Sequence, residues 1–181
     1  MNVIEALKSI KKIFTDNKIP YCLIGGFAVS IYGKPRFSED IDFLVIYDDE
    51  GKRKLIDYLT GNNIEHNYRS SDLFEPIGDL LELKLSGIIV QTIRGRYKWE
   101  KEILDNSVEY ELEPQLSIKV VKPEDLLILK LKAGGTLDLI DVNNIYQVQK
   151  DSLNIEYLVG RIEQLNLKLI AQTTMLSEIL T

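Results

Sequence analysis

The sequence predicts an α/β fold in which a mixed sheet is flanked by helices and followed by a helical C-terminal region. Three observations predict it: helical and extended apolar patterns alternate in the first half, a tight Ser86-Gly87 turn separates two apolar runs, and helical patterns fill the last third. Alternating α and β elements favour a sheet covered by helices. We expect a core over residues 1–117 and a helical region over residues 118–181 packed on that core.

The chain opens with a helix, a strand and a second helix. Apolar side chains at helical spacing predict the first helix over residues 2–16, with Asn2 and Glu5 as a capping box. The apolar run YCLIGG predicts a short buried strand, and FAVSIYG predicts a short helix.

A second strand and a third helix follow the loop KPRFSE. The strand is DIDFLVIY. The next stretch, DDEGKRKLIDYLTGNN, carries acids near its start and turn residues at its end, which favours a helix. We expect residues 64–70 to form an edge strand.

The second half begins with a β-hairpin. The stretch DLLELKLSGIIVQTIRG predicts two strands around Ser86-Gly87. YKWEKEIL predicts a helix, and the residues from VEYEL to LSIKVV predict one more short extended piece. The remaining predicted helices are KPEDLLILKLKAGG, which opens with Pro123 and early acids, TLDLIDVNNIYQV, and residues 154–180.

Composition narrows the functional classes. The chain has 28 acidic and 22 basic residues, a formal charge of −6 and a pI near 5.0, whereas generic nucleic-acid binders are usually basic. The single cysteine, Cys22, excludes an internal disulfide. With only one further Cys or His side chain, His66, the chain has too few ligands for a structural zinc site, and a Ser-His-Asp triad could use only His66. No stretch reaches the roughly 20 apolar residues of a membrane span, and no signal peptide is evident, so we expect a cytoplasmic protein.

Two acids in the second strand are the main candidates for chemistry. Residues i and i+2 of a strand point to one face, so Asp40 and Asp42 project side by side while Ile41 and Phe43 face the core. Neighbouring carboxylates repel each other unless a cation lies between them. Mg²⁺ takes oxygen ligands and uses one or two carboxylates together with substrate phosphates. The spacing therefore predicts a magnesium site at Asp40 and Asp42.

Gly25 and Gly26 are the candidates for phosphate binding. They end the first strand just before a short helix, and backbone without Cβ atoms allows a ligand to approach closely. The N–H groups at a helix start favour phosphate. Between the glycines and the acids, Arg36 is expected to neutralise triphosphate charge, and Ser38 to hydrogen-bond a phosphate oxygen.

The segment GGFAVSIYGKPRFSEDIDFLV resembles the signature of the nucleotidyltransferase superfamily, which includes polymerase beta and the kanamycin nucleotidyltransferases. Within that superfamily it is most similar to small bacterial abortive-infection, type IV toxin–antitoxin toxins. The C-terminal stretch VVKPEDLLILKLKAGGTLDLIDV is similar to a family pattern of a lysine-bearing helix followed by Asp-x-x-Asp. The resemblance covers residues 20–47 strongly and residues 118–142 moderately.

The resemblance implies transfer of a nucleoside monophosphate from an NTP to an acceptor, with Mg²⁺ as cofactor. Gly25 and Gly26 match the nucleotide-phosphate loop, Asp40 and Asp42 match the metal-binding acids, and Lys130 matches a helix lysine that meets the nucleotide in some members. Asp138 and Asp141 match the trailing acids, for which a structural role stays open. The acceptor is an RNA, a protein or a small molecule, and the resemblance implies an antitoxin as a candidate partner.

The resemblance also implies a third carboxylate on the second strand of the hairpin, where this sequence has Gln91. With Ser86-Gly87 as a two-residue loop, Glu82 pairs with Gln91, and directly opposite residues share a face. We therefore expect Glu82 to supply the missing catalytic carboxylate. The same register places Asp79 opposite Arg94 as an ion pair.

Two alternatives to an active enzyme stay open. A catalytically impaired protein of the same fold that binds a nucleotide or a partner is one, and Gln91 is the residue that favours it. An unrelated α/β protein with an accidental motif is the other, and it predicts that the Gly25–Gly26 turn lies far from the acidic pair.

Overall fold

The computed structural model describes residues 3–70 and 79–180, which form eight α-helices, one 3₁₀ helix and a seven-stranded sheet. The strands are β1 Tyr21–Ile24, β2 Asp40–Val45, β3 His66–Arg69, β4 Leu80–Leu85, β5 Ile88–Arg94, β6 Val108–Glu113 and β7 Leu116–Val120. The helices are α1 Val3–Asp16, α2 Gly25–Tyr32, α3 Asp49–Gly61, α4 Lys98–Asn106, α5 Pro123–Ala133, α6 Thr136–Gln149, α7 Ile155–Gln164 and α8 Lys168–Ala171, and the 3₁₀ helix is Met175–Ile179.

The sheet is mixed, as the sequence predicts. Its strand order is β3-β4-β5-β2-β1-β7-β6. The pairs β2–β5 and β1–β7 are parallel, and the other neighbours are antiparallel. The central antiparallel pair β1–β2 places Ile24 opposite Asp42, so the end of the first strand lies beside the start of the second.

The chain forms two compact units, and neither is continuous in sequence. The first contains Met1–Phe27 and Ser38–Val121, and the second contains Ala28–Phe37 and Lys122–Thr181. Helix α2 is divided between them after Phe27. That the C-terminal region packs on the core stays a prediction.

The first unit is built on the sheet, one face of which is covered by α1. Buried apolar residues of α1 contact β4 and β5. The Phe14 ring stacks on Tyr21 at 4.7 Å and meets Phe43 edge-on at 5.3 Å. Side chains alternate along β2, so Ile41 and Phe43 are buried while Asp40 and Asp42 are only half-buried. The acids therefore lie on the more accessible face.

The second unit is helical. Helix α5 is its buried element and contacts α6 and α7. Pro123 occupies the first turn of α5, and Gly134 ends the helix in the left-handed conformation, as expected for those residue types. Asp125 is buried in this unit and accepts a hydrogen bond from the Tyr157 hydroxyl at 2.6 Å.

Three details differ from the sequence predictions or lie beyond what the structure describes. The stretch predicted as one extended piece forms the hairpin β6–β7. Helix α2 begins at Gly25, so the two glycines are its first residues instead of a turn before it. The capping box at Asn2 lies outside the described residues. Over residues 3–70 and 79–180, no helix has the length and apolar character that crossing a bilayer requires.

Candidate functional site

The predicted acid pair lies at the start of β2. Asp40 and Asp42 are two residues apart, and the burial pattern of the strand puts both on its half-exposed face. The Ser38 hydroxyl donates to Oδ1 of Asp40 at 3.4 Å. Three of the predicted site residues, Ser38, Asp40 and Asp42, thus lie together at the start of β2.

Gly25 lies directly against Asp42. Its φ of +66° is left-handed, a conformation that L side chains rarely adopt. A Cβ added to Gly25 would overlap the Asp42 carboxylate, at 2.6 Å from Cγ and 2.7 Å from the Asp42 Cβ. Gly26 follows in the first turn of α2. The glycine pair and the acid pair therefore converge, and the reading that requires them to be far apart is wrong.

The hairpin register that the sequence predicts is confirmed. Glu82 pairs with Gln91 across β4 and β5, and Gln91 pairs with Asp42 across β5 and β2. Paired residues share a face, so Asp42, Gln91 and Glu82 form one row. Neighbouring strands are about 4.8 Å apart, which separates Asp42 from Glu82 by roughly 10 Å at the backbone. Glu82 also forms an ion pair with Arg69 at 3.7 Å.

The residues present fit a single hard cation at the acid pair. Mg²⁺ needs only one or two protein carboxylates when waters and phosphates complete its shell. Among residues 3–70 and 79–180, no cluster of three or more Asp, Glu, His or Cys side chains is arranged to hold a metal ion. Glu82 is therefore not gathered with Asp40 and Asp42 around one point.

Arg36 and Lys130 both belong to the second unit, where Asp141 connects them. The Arg36 Nε and Nη2 atoms donate to the two carboxylate oxygens of Asp141, each at 2.9 Å. The Lys130 ammonium lies 3.0 Å from Asp141 Oδ2 and 2.7 Å from Asp138 Oδ1. Sequence reasoning left Asp141 without a role, although its place in the Asp-x-x-Asp pattern was the available signal.

Two arginines at the end of β5, Arg94 and Arg96, share one buried carboxylate. Arg94 and Arg96 both bind the buried carboxylate of Asp79, which confirms the predicted Asp79–Arg94 ion pair. Arg94 also donates to Asp49 at 3.0 Å. Burial lowers the pKa of the Arg94 guanidinium, but its contacts with Asp49 and Asp79 together raise it by more, so the pKa lies above its ordinary value. Arg94 pairs with the last residue of β2, which is five residues and about 16 Å along the strand from Asp40.

Solved structures with the same fold include proteins described as a nucleotidyltransferase or as nucleotidyltransferase-like. An antigenic nucleotidyltransferase-like protein from Paracoccidioides brasiliensis is 15% identical, with a TM-score of 0.57, and the alignment covers 99% of this chain and 94% of that one. A nucleotidyltransferase described as putative from Thermotoga maritima is 21% identical, with a TM-score of 0.52 and coverage of 74% and 88%. ANT(2″)-Ia in complex with adenylyl-2″-tobramycin is 12% identical, with a TM-score of 0.55 and coverage of 90% and 98%.

These identities establish the fold alone, and no curated protein matches the chain significantly. The family is established by a family model for the nucleotidyl transferase AbiEii toxin of type IV toxin–antitoxin systems, which matches residues 12–168. That match includes the acid pair, the glycine pair, the hairpin and the helix that carries Lys130. It covers most of the 181 residues. The chain therefore belongs to the AbiEii nucleotidyl transferase toxin family.

Proposed function

We propose that this protein is a Mg²⁺-dependent enzyme that transfers a nucleoside monophosphate from an NTP to a hydroxyl-bearing acceptor. The observation that carries the proposal is the contact between the Gly25 backbone and the Asp42 carboxylate. It brings the first turn of α2, whose N–H groups favour phosphate, against one of a pair of acids suited to a cation. Family membership supports the same chemistry.

Asp40 and Asp42 are the proposed metal ligands, and both act catalytically through the metal. Bound Mg²⁺ would neutralise phosphate charge and hold the donor nucleotide there. Gly25 and Gly26 are proposed to bind the phosphates through the first turn of α2, whose N–H groups favour an anion. Ser38, whose hydroxyl reaches Asp40, is proposed to hydrogen-bond a phosphate oxygen.

Glu82 is the proposed catalytic carboxylate for the acceptor. It shares its sheet face with Asp42 and is separated from it by Gln91, an amide that carries no charge and accepts no proton. In this role Glu82 would accept the proton of the acceptor hydroxyl as the new phosphoester bond forms and pyrophosphate leaves.

Arg36 and Lys130 are proposed to bind the nucleotide phosphates. Both are cations held by buried or half-buried carboxylates of their own unit. A fixed guanidinium and a fixed ammonium suit phosphate oxygens because charge-assisted hydrogen bonds are about twice as strong as neutral ones.

A transfer assay tests the proposal. Each of the four α-³²P-labelled NTPs is incubated with the protein, Mg²⁺ and either total RNA, total cellular protein or a small-molecule extract. We expect label to move to one acceptor class and to need Mg²⁺. The Asp40→Ala/Asp42→Ala double variant should abolish transfer, and activity that persists in it would remove both acids from the mechanism.

A second candidate function is a catalytically impaired module that binds a nucleotide or a partner. Gln91 favours it, because the amide stands where the resemblance leads us to expect a carboxylate. Under this alternative the protein binds Mg²⁺–NTP by calorimetry but labels none of the acceptors, and the double variant loses binding.

We further propose an antitoxin partner, which the type IV toxin–antitoxin description of the family supports, and a cytoplasmic location. The neighbouring gene offers the test. Growth arrest on expression of this chain should be relieved by co-expression of the neighbouring gene product, and the double variant should cause no arrest.

A further inference from the structure

The second unit contains a buried carboxylate that contacts two cations. Asp141 on α6 has a side-chain exposure of 0%, yet both of its oxygens contact cations. A buried charge is costly unless it is paired and hydrogen-bonded. The cations come from two distant segments: Arg36 from the loop after α2, and Lys130 from the last turn of α5.

Arg36 and Asp141 form a bidentate ion pair. The planar guanidinium presents Nε and Nη2 to the two carboxylate oxygens, and both distances are 2.9 Å. Such a fork fixes direction as well as distance. The fork therefore fixes the orientation of the Arg36 guanidinium within the second unit.

Other contacts hold the same segment on α6. Lys34 donates to the Gln147 side chain at 3.1 Å, and Gln149 donates to the Tyr32 carbonyl at 2.8 Å. These two contacts hold the loop on α6, and Asp141 in addition orients the Arg36 side chain.

The contact with Lys130 leaves donor capacity for a ligand. An ammonium has three N–H donors. Within residues 3–70 and 79–180, the Lys130 ammonium contacts the carboxylates of Asp138 and Asp141. Asp138 is partly exposed, contacts Lys130 and accepts a hydrogen bond from the Gly135 N–H, whereas Asp141 holds both cations.

We infer that Asp141 is a positioning residue that preassembles Arg36 and Lys130 as a cation pair for the phosphates of the donor nucleotide. The inference rests on the proposed function. Asp141 acts through the two cations and does not itself touch the nucleotide. Because contacts within the protein orient both cations, fewer side-chain rotamers have to be ordered on binding, which lowers the cost of binding.

Nucleotide and nucleoside binding by the full chain test the inference. Affinity is measured by calorimetry for ATP, GTP, CTP and UTP with Mg²⁺ and for the matching nucleosides. For the NTP that wild type binds most tightly, Asp141→Asn should weaken affinity about tenfold or more, because it loses charge-assisted hydrogen bonds. Affinity for the nucleoside should stay within about twofold, since the cations serve the phosphates.

Two matched variants sharpen the comparison. Asp151→Asn removes the same charge from an exposed position of the second unit and should leave both affinities unchanged. Asp138→Asn should cause a smaller loss than Asp141→Asn, because it leaves the Arg36 fork in place. If Asp141→Asn does not fold, Arg36→Lys decides, because it keeps the charge but loses the fork and should reproduce the triphosphate-selective loss.

The outcomes separate this inference from the proposed function. A wild-type chain that binds none of the four NTPs overturns both. Wild-type binding with unchanged affinity in Asp141→Asn, or in Arg36→Lys where Asp141→Asn does not fold, overturns the inference alone. Equal losses for triphosphate and nucleoside also overturn it, because they indicate a general structural role.

Discussion

Replacing Gly25 by alanine tests the contact on which the proposed site depends. The new Cβ would lie 2.6 Å from Asp42 Cγ, whereas unstrained carbon–carbon contacts begin at about 3.5 Å, so the carboxylate must move by about 1 Å. The φ of +66° adds about 1–2 kcal/mol of backbone strain for an L side chain. We expect a loss of about 1–2 kcal/mol in the free energy of unfolding from this strain.

The catalytic effect of Gly25→Ala should exceed the effect on stability. A misplacement of about 1 Å in a catalytic site costs on the order of 100-fold in rate. Urea unfolding gives the first quantity, and the rate of labelled-NTP transfer gives the second, both at a temperature where the variant is folded.

Gly160→Ala is the matched control. Gly160 lies within α7, and an added Cβ would meet nothing within 4 Å, so the change should stabilise the helix by roughly 0.5–1 kcal/mol and leave transfer unchanged. A Gly25→Ala protein with wild-type stability and wild-type transfer would refute the reasoning.

Three other predictions concern buried charges and the row of side chains on the open sheet face. Arg94→Met removes one of the two cations on the buried Asp79 and should lower the free energy of unfolding by about 3 kcal/mol in urea titrations, while an unchanged value would show that Arg96 suffices. Burial raises the pKa of Asp125 above its ordinary value, and the hydrogen bond with Tyr157 lowers it by less. The protonated Asp125 side chain therefore contributes its full stability below the ordinary pKa, and this contribution is lost as pH rises through the raised pKa of the folded protein. Unfolding of Asp125→Asn and wild type from pH 4 to 8 should therefore show the variant gaining relative stability as pH rises, and a constant difference would count against it. Gln91→Asp adds a carboxylate beside Asp42 and should lower the Mg²⁺ concentration for half-maximal transfer several-fold, whereas no change would argue that a neutral amide suffices there.

The hairpin register was predictable because a short turn fixes it. Ser86 and Gly87 both have positive φ, the requirement of a two-residue hairpin turn of this type. Once that turn is placed, the pairing of Glu82 with Gln91 follows by counting. The acid pair could also be predicted from the sequence, because side chains of a strand alternate with a period of two residues and Asp40 and Asp42 interrupt an otherwise apolar run.

The second hairpin was not predictable from the same kind of signal. Its turn contains Pro114 and Gln115, and Gln115 adopts a φ of +72° without the glycine that usually marks such a position. Strand β6 is largely exposed, so its side chains carry little of the alternation that identifies a strand.

The assignment of residues 28–37 to the second unit also left no mark in the sequence. One of the contacts within that unit is the ion pair between Arg36 and Asp141, which are 105 residues apart. Neither local propensity nor periodicity reports on contacts at that separation, because both describe windows of fewer than twenty residues. The position of Asp141 within a recognisable pattern marked the residue without revealing its partner.

The interrupted order of the second unit has a consequence for how the protein is made. A ribosome releases the chain from its amino end at about 5–20 residues per second, so about 5–20 s separate the synthesis of Arg36 from that of Asp141, 105 residues later. During that interval the growing polypeptide lacks the helix that receives its early loop. A premature stop between residues 121 and 141 would thus release a chain whose sheet strands are all present but whose Arg36 has no Asp141 to bind.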